Sequence, residues 1–412
     1  MNLIRTPWFV TLALAAVLGA CAGMPQADGP SVATDAMASR GYPLTPQQRV
    51  TTSEDIYLGN LDARIAVLDQ ELEKSPSASL QAQQAAARLL RFRVLGQLAD
   101  GEEGLKLAEA ATRLQPELAD AQLILASALS TFHRFDEAMT ALDRARDTGA
   151  APQRLATTRR DLLMAQGRYG DLTEDFAHAS EPVADFYELA HRADLRLLQG
   201  DLAGASLWYR AAQDLYHDVD PVPLAWLHVQ QGIALLRHGQ TAQAREFFAA
   251  AHARLPHYAL AAEHLAECEF LLGHHDRARQ LYAAVIEQTD NPEYRAALAR
   301  VEEAAGHPDR ARAERESASR GYRQLLERHR AAYAQHAAEY FLELGELDSA
   351  WPLAQENLQL RADIGSLILY ARAAEAGNHG QRACAALARI QASGLHPPEL
   401  RELGPLQRSC SG

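Results

Sequence analysis

One spacing recurs along this chain and limits its fold more than any other feature. A small residue of the kind found in tight turns is followed five residues later by an alanine or, in one pair, a leucine. The pair returns about every 34 residues. The pairs are Gly167/Leu172, Gly200/Ala205, Gly239/Ala244, Gly273/Ala278, Gly306/Ala311 and Gly345/Ala350, with looser copies at His133/Ala138 and Gly377/Ala383. This period is typical of stacked helix–turn–helix repeats, so the spacing predicts an all-α solenoid of about eight repeats.

Length and charge fit such an array and exclude some functions. A chain of 412 residues is too long for one compact core, but in a repeat array each unit contacts only its neighbours. The net charge of −13 gives no basic stripe for DNA or RNA, so we expect no nucleic-acid partner. The sequence contains no phosphate-binding, zinc-protease, serine-hydrolase or CxxC motif, so we expect neither catalytic residues nor a bound metal.

The N-terminus has the features of an export signal. A charged start at Arg5 is followed by an apolar run from Trp8 to Leu18, which is too short to span a bilayer as a permanent helix. The run ends in Leu18-Gly19-Ala20-Cys21, which resembles a bacterial lipobox. The resemblance implies cleavage before Cys21 and a lipid anchor on that cysteine as the only attached group. The alternative is an ordinary signal peptide with a chance cysteine.

Composition then divides the chain into five segments. Residues 22 to about 50 are rich in Ala, Gly, Pro, Ser and Thr and read as a flexible tether. The predicted segments are a signal peptide (1–20), a lipidated tether (21–50), an N-terminal helical cap (51–82), the repeat array (83–390) and a C-terminal tail (391–412). Within the array, we expect longer connections near 213–224 and 315–330, where the period lengthens.

One block carries a family resemblance in full. Helix A is predicted from Ala225 to Arg237 and helix B after Gln240. The family positions for small, turn, aromatic and terminating residues are occupied by Gly232, Gly239, Ala244, Phe248, Ala251 and Pro256. This block resembles the tetratricopeptide repeat, and degenerate copies cover most of the array. The resemblance implies a right-handed superhelical solenoid that binds other proteins and is not an enzyme.

The resemblance also points to a set of contact residues. In the family, the second, fifth, ninth and twelfth residues of helix A face the concave surface. In the matched blocks the candidates for partner binding are Tyr187, Asp194, Trp226, Ile233, Glu263, Glu267 and Glu339. Trp226 is equally consistent with an exposed anchor and with burial between helices. For the glutamates we favour solvation over partner contact.

The remaining histidines and cysteines leave further possibilities. Six histidines lie at the A–B turns, namely His133, His238, His274, His275, His307 and His379. Their positions favour interactions with the last carbonyl groups and the dipole of the preceding helix. A metal-binding or pH-sensing edge is the less favoured interpretation. His264 and Cys268 lie one helical turn apart, and we interpret them as packing residues and not as metal ligands. In an oxidising compartment, Cys384 and Cys410 are expected to form a disulfide that fixes the tail.

Together these features predict a membrane-anchored scaffold or adaptor facing the periplasm, most simply from the outer membrane. It would bind protein partners of unknown identity through its concave face during envelope complex assembly. Two alternatives stay open: a metal-handling protein or enzyme that uses the turn-edge histidines, and a structural homo-oligomer.

Overall fold

The computed structural model describes residues 45–178, 185–289 and 291–410, and within these ranges the chain is helical and contains no β-strand. The predicted signal peptide, Cys21 and most of the tether lie outside the described residues. The α-helices, in chain order, are α1 (Glu54–Lys74), α2 (Ala78–Leu95), α3 (Leu98–Leu114), α4 (Ala119–Thr131), α5 (Phe135–Asp147), α6 (Pro152–Ala165), α7 (Tyr169–His178), α8 (Phe186–Leu198), α9 (Leu202–Leu215), α10 (Pro221–Arg237), α11 (Thr241–Arg254), α12 (Ala259–Leu271), α13 (His275–Thr289), α14 (Pro292–Ala304), α15 (Pro308–Glu343), α16 (Leu347–Leu360), α17 (Ile364–Ala376), α18 (Gly380–Ala392) and α19 (Gly404–Cys410). A 3-10 helix (Pro398–Leu403) precedes α19. None of the helices in this part of the chain is long and apolar enough to cross a membrane.

Consecutive helices form nine helix–turn–helix pairs over the described residues, from α2/α3 to α17/α18. The all-α solenoid is therefore confirmed, with one pair more than the spacing predicts. The additional pair begins at Ala78, inside the segment assigned to the N-terminal cap. The long helix α15 belongs to two pairs, because His329 adopts non-helical φ and ψ of −138° and 54° and kinks it. This kink accounts for the lengthened interval near 315–330.

The recurring turn residues behave as the spacing predicts. All six turn glycines of the clear pairs have positive φ, between 72° and 83°, a conformation that glycine adopts without a Cβ penalty. The residue five positions later is fully buried in every case, as Leu172 and Ala205 illustrate. The last unit differs from the prediction: Gly377 is not the left-handed residue, because Asn378 adopts φ of 58° instead. Counting from Asn378 brings Ala383 back into the common frame.

The array curls back on itself, so turns from its first half pack against helices from its second half. His133 Nδ1 lies 3.2 Å from the carbonyl oxygen of Ala331, and Gln288 Nε2 donates to the Leu95 carbonyl at 2.7 Å. Ile364 N donates to the Tyr169 hydroxyl at 3.2 Å. These pairs are separated by 198, 193 and 195 residues, close to six repeat periods. We call them the cross-turn contacts.

Residues at the N-terminal end of the described chain join this closure. The Arg254 guanidinium donates to the carbonyl oxygen of Arg49 at 2.9 Å and to Thr51 Oγ1 at 2.6 Å. Both carboxylate oxygens of Glu54 contact His257, one of them accepting from its backbone nitrogen at 2.7 Å. The segment from 45 to 50, assigned to the flexible tether, therefore lies packed on α10 and α11. The linker before α10 is shorter than predicted, because the helix already begins at Pro221.

The C-terminal tail also packs on the array. Cys384 of α18 and Cys410 of α19 are joined by a disulfide, with Cα atoms 5.5 Å apart. His396 N donates to the Leu198 carbonyl at 2.9 Å, which places the tail beside the turn at Gly200. In the 3-10 helix, Glu399 pairs with Arg237 of α10. The tail thus continues the series of cross-turn contacts to the end of α10.

A matched pair of glycine substitutions tests the closure. Gly167 and Gly239 have φ of 72° and 76°, so alanine is strained at both, by about 1–2 kcal/mol. An added Cβ at Gly167 would lie within 2.5 Å of the Asp363 backbone nitrogen, whereas one at Gly239 meets nothing within 4 Å. We expect Gly167→Ala to lower the free energy of unfolding by about 1–3 kcal/mol more than Gly239→Ala. Urea unfolding followed by circular dichroism measures both, and equal losses would contradict the closed array.

Candidate functional site

The inner face of the curled array encloses a cavity of about 110 Å³. It lies between the first helices of the central pairs and the helices that return one turn later. The polar residues that line it are His133, Asp161, Tyr169, His191, Asp194, Tyr209, Trp226, Gln230, Arg237, Gln335, Glu339, Arg361, Asp363, Arg372 and Glu399. Its apolar wall includes Leu197, Ile233, Ile364 and Ile368. The site therefore combines residues that are up to 266 positions apart, from His133 to Glu399.

Four of the seven predicted contact residues meet in this cavity: Asp194, Trp226, Ile233 and Glu339. Tyr187 packs beside them, with its ring 5.8 Å from that of Trp226. The face is not an open concave surface, however, because Trp226 is 4% and Ile233 8% exposed. Of the two alternatives that the sequence leaves open for Trp226, the structure shows burial and not an exposed anchor. The Trp226 ring packs against those of Phe186 and Tyr187.

Two carboxyl groups on one side of the cavity make hydrogen bonds to neighbouring helices. Asp161 Oδ1 lies 2.7 Å from His191 Nε2, and Asp194 accepts from the Tyr209 hydroxyl. Burial raises the pKa of Asp161 to about 6, although the nearby His191 acts in the opposite direction. Burial also raises the pKa of Asp194 above its usual value. Burial alone would lower the pKa of His191, but the Asp161 carboxylate raises it, so Asp161 has a counter-charge beside it, whereas Asp194 has the Tyr209 hydroxyl in direct contact.

Two buried ion pairs close the other side. Arg237 pairs with Glu399 of the tail, whose side chain is 3% exposed. Arg361 Nε lies 3.0 Å from Asp363 Oδ2, and the same guanidinium donates to Gln335. Because removing one partner of a buried pair leaves an uncompensated charge, these pairs are expected to hold the cavity wall rigidly.

Several polar atoms in the wall have no hydrogen-bond partner among the described residues. They are the nitrogens Trp226 Nε1, Gln230 Nε2, His191 Nδ1 and Arg361 Nε, and one carboxylate oxygen each of Asp161, Glu339 and Glu399. Buried polar groups in folded proteins are nearly always paired with protein, water or ligand. Glu339 accepts from Gln335 Nε2 at 3.0 Å, and burial raises its pKa to about 7. The cavity can therefore bind water or a small polar molecule.

The remaining two predicted contact residues lie outside the cavity and are not solvated. Glu263 and Glu267 of α12 are 2% and 3% exposed, and their carboxylates lie 3.1 and 3.2 Å from His264 Nδ1. The expectation that these glutamates are solvated is wrong, because α12 is covered on both faces. Burial raises the pKa of Glu263 to about 8. Burial alone would lower the pKa of His264, but the two carboxylates raise it to about 9.

Among the described residues, Glu263, His264 and Glu267 are the only group of three or more His, Cys, Asp or Glu side chains spaced to hold a metal ion. Glu263 and Glu267 raise the pKa of His264, which favours a positive charge on the imidazole beside the carboxyl groups. Cys268, one turn later, is fully buried and is not part of the group. Burial raises the pKa of its thiol, which keeps it in the uncharged form.

Three of the six turn-edge histidines bind within their own repeats, whereas His133 makes a cross-turn contact with Ala331. His274 Nδ1 lies 2.6 Å from Glu269 and His307 Nδ1 lies 2.7 Å from Glu302, each on the preceding helix. His238 Nδ1 contacts the Ala234 carbonyl oxygen at 2.8 Å. In the described residues none of the six turn histidines belongs to a metal-spaced group. These contacts are the helix-end interactions that the sequence favours.

Sequence reasoning missed several residues of the cavity. Asp161 occupies the ninth position of the degenerate unit after Pro152, which is an inward-facing position, so the repeat frame could have identified it. His191 and Gln230 share the sixth position of their units, one turn from the expected contact positions. Glu399 carries no sequence signal, because only the packing of the tail brings it to Arg237.

The chain is thus a helical-repeat protein whose inner face forms a partly open cavity. Residues 235–301 match the family model described as Tetratricopeptide repeat, which makes this part of the chain a tetratricopeptide repeat segment. It spans the end of α10 to most of α14 and includes the Gly239 turn and the buried Glu263 group. The other pairs share its turn and alanine frame. No curated protein matches the chain.

Solved structures with similar helical arrays are only distantly similar. The match to the crystal structure of the APC/C hetero-tetramer Cut9–Hcn1 covers 78% of this chain and 60% of the matched chain, at 16% identity and a TM-score of 0.47. This chain therefore spans less than two thirds of that protein. The match to the human IFIT1 dimer with PPP-AAAA covers 87% of this chain and 86% of the IFIT1 chain, at 16% identity and a TM-score of 0.43. The match to yeast Tom70 covers 82% of each chain, at 14% identity and a TM-score of 0.32. None of these values carries information about ligands or partners.

The raised pKa of Glu339 predicts a pH dependence of stability. Its folded pKa of about 7 lies above the ordinary value of 4.5, so the folded state binds more protons between these pH values. The free energy of unfolding should therefore fall as pH rises from about 4.5 to about 7. Glu339→Gln should remove that part of the fall and raise stability at pH 8 relative to wild type. Urea unfolding at several pH values tests this.

Glu287 provides the control, because it lies exposed on α13. Glu287→Gln should leave the pH profile of unfolding as in wild type. An unchanged slope in Glu339→Gln would contradict the buried carboxyl in the cavity.

Proposed function

We propose that this protein is an exported, lipid-anchored scaffold that binds other proteins. The observation that carries the proposal is the stack of helix–turn–helix pairs with its tetratricopeptide segment, a class of fold that mainly presents binding surfaces. The lipobox-like Leu18-Gly19-Ala20-Cys21 supports anchoring at a bacterial membrane, with the array in the periplasm. The disulfide between Cys384 and Cys410 fits an oxidising compartment. Assembly of an envelope complex is the role that this location favours.

The inner face is a poor docking surface for a folded partner. Its cavity of about 110 Å³ is far below the roughly 300–1,000 Å³ of pockets that take drug-sized ligands. Substituting the buried Trp226 by alanine would cost about 3–5 kcal/mol of stability, so loss of binding in that variant would not by itself identify a contact.

An exposed apolar surface lies instead where the N-terminal segment meets the linker before α10. Val50, Ile56 and Val219 are 87%, 58% and 62% exposed. Thr52 N donates to the Val219 carbonyl at 2.8 Å, which links Val219 to the segment that contains Val50 and Ile56. We call these three residues the N-terminal patch. Exposed apolar patches mark interaction sites, so the patch is the favoured docking surface for an apolar segment of a partner.

In-cell photo-crosslinking tests the scaffold. A photoreactive amino acid at Val219 should give discrete crosslinked products with another protein, because the patch is exposed and apolar. The same residue at Thr140, which is exposed on α5, is the control and should give none. A third position, Tyr187, reports on the inner face. Absence of products at both Val219 and Tyr187, or a product that is only a second copy of this chain, would contradict the proposal.

Lipid anchoring has its own test. Cys21→Ser should move the protein from the membrane pellet to the soluble fraction, because the thioether lipid cannot form on serine. Ala22→Ser is the matched control and should stay in the pellet. If Cys21→Ser also stays with the membrane, the anchor is not on Cys21. Immunoblots of fractionated cells, after a carbonate wash, provide the measurement.

A further inference from the structure

Two glutamate carboxylates of α12 lie against the same imidazole nitrogen. Glu263 Oε2 lies 3.1 Å and Glu267 Oε2 lies 3.2 Å from His264 Nδ1. Glu267 follows the other two residues by four and three positions, which makes it a neighbour of both on the helix surface. The three side chains are between 1% and 4% exposed, so little water reaches these charges.

Hydrogen bonds within this group leave part of it unsatisfied. An imidazole nitrogen carries at most one hydrogen, so His264 Nδ1 cannot donate a full hydrogen bond to both carboxylates. Glu263 Oε1 has no hydrogen-bond partner among the described residues, although its side chain is more than nine-tenths buried. Buried polar atoms are nearly always paired, so a ligand that several of these oxygens share would satisfy the group better than one hydrogen does.

The charges around the group favour a further cation. Glu293 of α14 lies close enough to act electrostatically on Glu263 and His264. Its contact with His336 Nδ1 is long, at 3.7 Å. Arg300 supplies a guanidinium that also acts on Glu263. When ionised, the two carboxyl groups of α12 and that of Glu293 exceed this guanidinium by two charges, which one divalent ion balances.

The distances fit a transition-metal ion. Zinc bonds of about 2.0–2.2 Å to nitrogen and oxygen place neighbouring ligand atoms about 2.9–3.5 Å apart in octahedral and tetrahedral sites. Both contacts of His264 Nδ1 fall in this range, and the three ligand atoms all lie within 4.8 Å of one another. Zinc accepts imidazole together with carboxylate, whereas magnesium and calcium favour oxygen alone. Glu263 Oε1 can add a fourth contact, because carboxylates also bind metals through both oxygens.

The surroundings of the imidazole favour a structural role for such an ion. The His264 ring stacks on the ring of Phe248 of α11, with centroids 5.0 Å apart, which fixes its orientation. Phe248 is itself fully buried, so no open surface lies on this side of the imidazole. An ion enclosed in this way has no route to a substrate, and closed metal sites contribute to folding stability.

We propose that Glu263, His264 and Glu267 bind a structural zinc ion inside the tetratricopeptide segment. Zinc would take the place of the hydrogen on His264 Nδ1, which passes to solvent, and would bind the facing oxygen of each glutamate. The proposal differs from the expectation, based on sequence motifs, that the chain binds no metal. It does not depend on the scaffold function. Because the group is buried, the ion would enter as the chain folds.

The metal content of the purified chain tests the proposal, with zinc chloride added to the growth medium as the probe. Mass spectrometry after desalting should find about one zinc ion per chain and no retained magnesium. Because the group is buried, the zinc should remain when the folded chain is treated with EDTA and should leave when EDTA is added in urea. A chain without zinc, or one that loses its zinc to EDTA while folded, would overturn the proposal.

Two substitutions of similar shape assign the ligands. Glu263→Gln and Glu267→Gln should each lower zinc affinity at least about 100-fold, because even residues that only orient a metal ligand contribute 10–100-fold. Glu269→Gln is the matched control, since Glu269 is 3% exposed on the same helix but pairs with Arg245 and His274. It should bind zinc as wild type does. Competition with a chelator of known affinity provides the measurement.

X-ray absorption at the zinc edge keeps the test decisive if a variant fails to fold. In the wild-type chain the zinc should have only nitrogen and oxygen neighbours, at about 2.0–2.2 Å, with a single imidazole among them. A sulfur neighbour at about 2.3 Å would assign the ion to Cys268, and two or more imidazoles would assign it to other histidines. Either result, or zinc held as tightly by both glutamine variants as by wild type, would overturn the proposal.

Discussion

The structure depends on the cross-turn contacts, which join turns of the first repeats to helices about 200 residues later. Without them the pairs would form an open ribbon in which each unit contacts only its neighbours. Gly167 shows how close the approach is, because a side chain there would collide with the Asp363 backbone. The Leu95 carbonyl and the Tyr169 hydroxyl extend the same closure along the array. The inner face is therefore largely covered and is not an open groove.

Closure also creates the chemistry of the cavity. Asp161 and Asp194 come from the first half of the chain, and Glu339 and Glu399 come from the second. Asp161 and Asp194 form their hydrogen bonds within the first half, with His191 and Tyr209, and Glu339 forms its bond within the second, with Gln335. Burial in the assembled array raises the pKa of Asp161 and Glu339. The acidic character of the site is thus a property of the assembled array and not of any one repeat.

Features within one repeat could be predicted from the sequence, whereas contacts between distant repeats could not. The turn glycines and the buried alanines follow from sterics within one unit, so their spacing identified the helix pairs. The same frame assigned Trp226 and Glu339 to the inner face, but it could not show what covers that face. Glu263 and Glu267 look like solvated glutamates until His264 and the neighbouring helices are placed around them. Tail residues such as Glu399 have no repeat position, and only long-range packing reveals their partner.

The position of the tail has a consequence for the order in which this molecule folds. Helix pairs make contacts between nearby residues, which form early because little chain entropy is lost in bringing them together. The Arg237–Glu399 ion pair joins residues 162 positions apart, so it must wait until the intervening repeats have been made. Glu399 therefore completes a site whose other lining residues all lie earlier in the chain.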